Sequence, residues 1–216
     1  MSTTPTKKEL THDRIVETAA QAIRRHGFAG VGVADVMKQA GLTHGGFYAH
    51  FASRDALLCE ALDRAGRDSA DRITRFAAAR EAKGASPYRA FVENYLADVL
   101  LASLEHGCPV AALASDMPRQ APAVSEASAA RVRGLIANVA RRLPPAVERG
   151  AAPVIAAQLV GALQLARALG DSADGRALLA AARRDLIARY DTAGDAPADA
   201  RGHPRNDKQR KKSTKA

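Results

Sequence analysis

Residues 41–51, GLTHGGFYAHF, set two adjacent glycines, Gly45 and Gly46, between a histidine and two aromatics, where the flanking pattern predicts a helix. A glycine inside a helix costs about 1 kcal/mol relative to alanine. Both fall in the predicted first turn, where intrahelical hydrogen bonding is incomplete in any case. Their missing side chains let a partner approach that helix N-terminus closely, and leave His44 and Tyr48 to protrude. The chemistry on offer is hydrogen bonding, not bond breaking. The chain has no nucleophile elbow, glycine-rich phosphate loop, metal-spaced histidine pair or obvious carboxylate dyad, so no catalytic residue, metal site or cofactor is expected.

Such a segment needs a scaffold, and the surrounding periodicity supplies one. Thr11 is the predicted N-cap of a first helix, with Asp13 in its first turn and Ile15, Ala19, Ala22 and Ile23 along one face. Gly27 ends it, and Phe28 tucks beneath. Gly30 and Gly32 mark a turn; Val33, Val36, Met37 and Ala40 then repeat the helical spacing until Gly41. Thr43 is the predicted cap of a third helix running to His50 or Phe51, and Ser53 that of a fourth, with Leu57, Leu58, Ala61, Leu62 and Ala65, continuing to about Ala79. A glycine turn between two short helices, held by Val36, Met37, Ala40, Leu42 and Phe47, is a helix-turn-helix over about 33–52. It projects the start of its second helix toward a major groove.

The rest of the chain is also helical in pattern, with no period-2 strands and no internal repeat. Ser86-Pro87 opens a helix carrying Phe91, Tyr95 and Val99; His106-Gly107-Cys108-Pro109 breaks it. Helices are predicted at about 122–143, 151–169 and 174–190. The expected fold is all-α, with about nine helices. A disordered arm (1–9) precedes a DNA-binding domain (10–70), a larger bundle (71–192) and a disordered basic tail (193–216).

The net charge is +9, but residues 201–216 hold seven Lys/Arg against one Asp and the remainder is close to neutral. The basic balance therefore says little about the body; the tail could assist DNA binding only through nonspecific electrostatics. Two isolated cysteines, Cys59 and Cys108, make neither a disulfide framework nor a zinc site and fit a reducing cytoplasm. The N-terminus lacks the apolar core of a signal peptide, and no membrane span is expected.

Residues 11–65 resemble the TetR/AcrR family of bacterial transcriptional regulators. The stretch IVETAAQAIRRHGF matches that family's first helix, VADVMKQAGLTHGGFYAHF its helix-turn-helix, and FASRDALL the opening of its fourth helix. One departure is Arg54, where family members usually carry lysine; the charge is kept, so a phosphate contact is still expected. The resemblance implies that Thr43 and His44 open the recognition helix and that Tyr48 and His50 meet the DNA backbone. Lys38 is a phosphate candidate. Phe47 and Phe51 belong to the core.

The resemblance further implies an effector pocket in the bundle and a dimer interface from the last two long helices. Candidate pocket residues are Phe91, Tyr95, His106, Cys108 and Met117. The segment 151–169 is apolar almost all round, and Ala157, Gly161, Leu165 and Ala168 share one face; Leu179 and Leu186 are the counterparts on the next helix. The expected protein is a homodimeric repressor of a near-palindromic double-stranded operator, released by an unidentified small molecule. The alternatives are an all-helical protein–protein adaptor and a small-molecule-binding protein without DNA activity.

Overall fold

The structure, a computed structural model, describes residues 4–191. Among them all regular elements are helical: nine α-helices with three short 3-10 segments between them.

The first helix, α1 (Lys7–His26), begins four residues before the predicted start at Thr11. Its cap is Thr6, whose side chain accepts the Glu9 N–H while the Glu9 carboxylate accepts the Thr6 N–H at 2.7 Å. This reciprocal pair satisfies two end groups at once, so the last three residues of the expected disordered arm, 7–9, are helix. Residues 1–3 and the tail from 192 onward lie outside the described residues. Gly27, at φ 72°, closes α1. α2 (Val33–Gln39) ends before Gly41, at φ 69°. α3 (Arg54–Glu81) follows, with the Ser53 hydroxyl accepting the Ala56 N–H at 3.1 Å.

α1, α2 and the first half of α3 enclose a small core of Ile15, Ile23, Met37, Phe47, Leu58 and Leu62. Without a break, α3 runs on into the larger bundle, so the boundary expected at 70/71 falls inside one helix.

The bundle comprises the second half of α3 with α4 (Pro87–Tyr95), α5 (Val99–Ala102), α6 (Pro109–Leu113), α7 (Pro122–Arg142), α8 (Ala152–Ala168) and α9 (Ala173–Tyr190). Ser86 caps α4 and Ser172 caps α9. Val99 was expected to extend the α4 face. Instead α4 stops at Tyr95 and Val99 stands 63% exposed on the separate α5. The break is held from afar: the Arg183 guanidinium of α9 donates to the Leu96 carbonyl (2.5 Å) and pairs with Asp98 (2.7 Å).

The end of α9 returns to the start of α4, where Asp191 accepts from the Ser86 hydroxyl (2.5 Å) and Arg89 (2.9 Å). The segment Arg149–Ala168 is long and apolar enough to pass a membrane-span test by composition, yet it packs against α7 and α9. Its Val154, Ala157, Leu165 and Ala168 stay exposed, which leaves an uncovered apolar face.

Candidate nucleic-acid interface

The helix-turn-helix is built as α2, the Gly41 turn and a 3-10 segment, His44–Ala49. The expected third α-helix is thus a tighter, shorter coil. Its bonds run from Gly46 N–H to the Thr43 carbonyl (3.1 Å) and from His50 N–H to the Phe47 carbonyl (2.9 Å). Two glycines weaken the α-helical alternative, and short 3-10 pieces are the usual outcome of such segments. Thr43 sits at the N-cap position in extended backbone, but its hydroxyl makes no cap bond, contrary to the expected capping role. That hydroxyl stays free at the surface.

Phe47 is the anchor. Its ring is buried, stacked on Phe51 (5.4 Å between centroids) and met edge-on by Tyr48 (5.3 Å). This holds the segment against the core and turns its other face outward. Thr43, His44, Gly45 and Lys38 are exposed, and Tyr48 is 73% exposed. A side chain at Gly45 would meet open space; one at Gly46 would make only ordinary contact with Met37 Cε at 3.6 Å. No packing contact within the described residues therefore requires these glycines.

Two predicted contact residues are placed differently. Arg54 was expected on a phosphate. Its guanidinium instead turns inward and donates to the carbonyls of Phe28 and of Val31 (3.1 Å), tying the α1–α2 loop to the start of α3. His50 is half-buried beside His12, with Nδ1 buried and unpartnered. Burial, then the nearby charges of His12 and Lys8, hold its pKa below the usual histidine value. These influences favour the neutral form of His50. His12 in turn stacks on Phe51 (4.6 Å) and meets Glu60 at 2.6 Å.

The sequence reading missed Lys7 and Lys8, which the extended α1 fixes in its exposed first turn, Lys8 close enough to influence His50. The signal was present as Thr6-Lys7-Lys8-Glu9, a capping-box pattern. It also missed Arg24, buried on α1, which donates to the Ala65 carbonyl (3.3 Å) and pairs with Asp68 at 3.5 Å, clamping α1 to α3.

The other predicted sites divide in the same way. Phe91, Tyr95, Cys108 and Met117 are core side chains. Phe91 packs on Tyr95 (5.8 Å) and beneath the Arg142 guanidinium (5.2 Å). Of the five pocket candidates, only His106 borders either of two cavities between α3 and the 103–107 loop. On α8, Ala157, Leu165 and Ala168 are exposed in line with Val154, and a Cβ at Gly161 would meet nothing. Leu179 and Leu186 of α9 are fully buried in the chain's own core and offer no surface to a second copy. The exposed face of α9 is instead Ala177, Ala181, Arg184 and Ala188.

The geometry agrees with comparisons to known proteins. Residues 15–61 match the family model described as bacterial regulatory proteins, tetR family. An HTH-type transcriptional regulator of Mycobacterium tuberculosis, itself uncharacterized, is 32% identical over 171 residues, covering 74% of this chain and 85% of that protein. The crystal structure of a TetR-family regulator from Agrobacterium tumefaciens is similar at a TM-score of 0.67, with 24% identity over 85% of this chain and 99% of that one. One from Legionella pneumophila is similar at 0.68, with 16% identity over 88% and 100%. With an exposed, glycine-bearing helix-turn-helix on an all-helical body, the chain belongs to the tetR family of bacterial regulatory proteins and is a DNA-binding transcriptional regulator.

Proposed function

We propose that this regulator is a repressor that binds a near-palindromic operator as a homodimer and is released by a small-molecule effector. The observation that carries the reading is the Thr43–Tyr48 segment. Its glycines are unexplained by packing within the protomer, and its polar groups are exposed. A backbone without side chains there lets the segment approach bases and phosphates. His44 and Thr43 face base edges, while Tyr48 and Lys38 face the sugar-phosphate backbone. Lys8 adds a cationic group near His50. The α3 N-terminus adds peptide N–H groups suited to a phosphate.

One such segment reads too few bases for useful specificity, so two are required, about 34–36 Å apart in successive major grooves. The apolar stripe Val154–Ala157–Gly161–Leu165 on α8 supplies a surface for pairing two copies. Val154 is 57% and Leu165 62% exposed, and the small residues between them permit close helix approach.

Selection of bound sequences from a random DNA pool tests the reading. An inverted repeat bound in a salt-dependent manner is expected. Failure to enrich any sequence overturns it.

A further inference from the structure

Two adjoining cavities lie where α3 faces the 103–107 loop, about 380 and 230 Å³ in volume, and both are bordered by Arg72, Arg75 and His106. The larger is completed by apolar Phe76, Val99 and Leu100, and has no carboxylate in its lining. Phe76 is 55% exposed, unusual for a large aromatic on a bundle helix. The smaller cavity contains acids, but Asp68 is already engaged by Arg24 and Arg64, and Glu17 by Arg64. Asp71 makes no ion pair among the described residues.

Arg72 is the anomaly. It is half-buried, its Nε is fully buried without a partner, and no carboxylate of the described residues pairs with it. Burial, followed by the neighbouring charges of Arg24 and Arg75, pushes its guanidinium below the usual arginine range. A partly desolvated cation beside another cation is unfavourable unless an anion compensates it. The planar donor fork of arginine fits an oxyanion in bidentate fashion.

We propose that this joint is the binding site for a small amphipathic anion, its oxyanion head on Arg72 and Arg75 and its apolar body against Phe76, Val99 and Leu100. The assignment gives the effector of the repressor reading its chemical class, and the effector role rests on that reading. The position suits regulation. The Arg167 guanidinium of α8 donates to the carbonyls of Leu100 (3.0 Å), Ser103 (3.4 Å) and His106 (2.9 Å). Glu105 of the same loop pairs with Arg25 of α1 at 3.0 Å. An anion seated here presses on a loop that touches both the DNA-binding unit and α8.

The test uses two fluorescent probes with the same apolar body, 1-anilinonaphthalene-8-sulfonate and its uncharged counterpart N-phenyl-1-naphthylamine, titrated onto the full chain. The sulfonate is expected to bind once per chain and at least tenfold more tightly than the neutral probe. Arg72→Gln and Arg75→Gln should each weaken the sulfonate about tenfold and leave the neutral probe unchanged. Arg75 is exposed, so its variant carries the test if Arg72→Gln does not fold. Equal binding of the two probes, or sulfonate binding unchanged in Arg75→Gln, overturns the proposal. Operator binding measured on the same samples keeps the two readings apart. Arginine-dependent sulfonate binding without any operator binding upholds the anion site while the repressor reading fails.

Discussion

The Arg25 guanidinium at the end of α1 lies 3.0 Å from the Glu105 carboxylate of the loop between α5 and α6. This ion pair is a direct tie between the DNA-binding unit and the loop that Arg167 anchors to α8. Arg25 is more than half exposed, so the pair contributes little to stability, about 0–1 kcal/mol. Its value lies in where it connects.

Glu105→Gln should therefore barely move the melting temperature at neutral pH. The Glu105 carboxyl is held below its ordinary pKa, first by a hydrogen bond from its own backbone N–H and then by Arg25. A depressed carboxyl contributes stability at and above the ordinary carboxylate range, about pH 4.3, and loses it as pH falls through the folded value. The small stability gap between wild type and Glu105→Gln should close below that range. Thermal melts from pH 7 to pH 3 check this; a gap that widens in acid refutes it.

Arg54 separates a structural from a DNA-contacting arginine. Arg54→Lys keeps the charge but not the fork that spans the Phe28 and Val31 carbonyls. A loss of about 1–2 kcal/mol in stability is expected from denaturant unfolding. Arg54→Gln should leave the salt dependence of operator binding the same. A phosphate contact would instead lower its log-log slope by about 0.9 on substitution to glutamine, the result expected for Lys38→Gln.

Gly45→Leu places a side chain in open space. Stability should hold or rise, by up to about 1 kcal/mol, because a glycine is removed from a helical segment. Operator affinity should drop at least tenfold in gel-shift titrations. Normal binding would reduce the glycine pair to a local folding detail.

Leu165→Glu sets a charge in the middle of the exposed α8 stripe, away from the protomer core. Light scattering should shift from twice the 22.7 kDa chain mass toward the single chain. Far-UV circular dichroism should be unchanged. A wild-type chain that is already monomeric at micromolar concentration would remove the dimer from the reading.

Helix ends punctuated by glycine, serine or proline were legible because the cause is local. Gly27, Gly41, Ser53 and Ser86-Pro87 sit where the sequence puts them. The start of α1 is weakly marked in the sequence, because Pro5 and a polar run argue against helix there and only the four-residue Thr6–Glu9 capping pattern argues for it. The break after Tyr95 was not legible, because Arg183 enforces it from 87 residues away. Nor was the inward turn of Arg54, since its acceptors are loop carbonyls, and carbonyls carry no residue identity. For the same reason the pocket candidates were the aromatic and sulfur side chains, which the fold consumed as core. The unpartnered cation at Arg72 depends on which acids other arginines had already taken.

At about 1.5 Å per residue, the 28-residue α3 is a rod roughly 42 Å long with one end in each unit. A tilt of only about 5° at the bundle end swings the far end by about 3.7 Å, close to the ~3.4 Å step between stacked bases. If two copies pair through α8 as proposed, the error doubles across the operator. Under the dimeric reading proposed above, a change at the Arg72 joint too small to disturb the core packing would put the two reading heads out of register with the helical repeat of DNA.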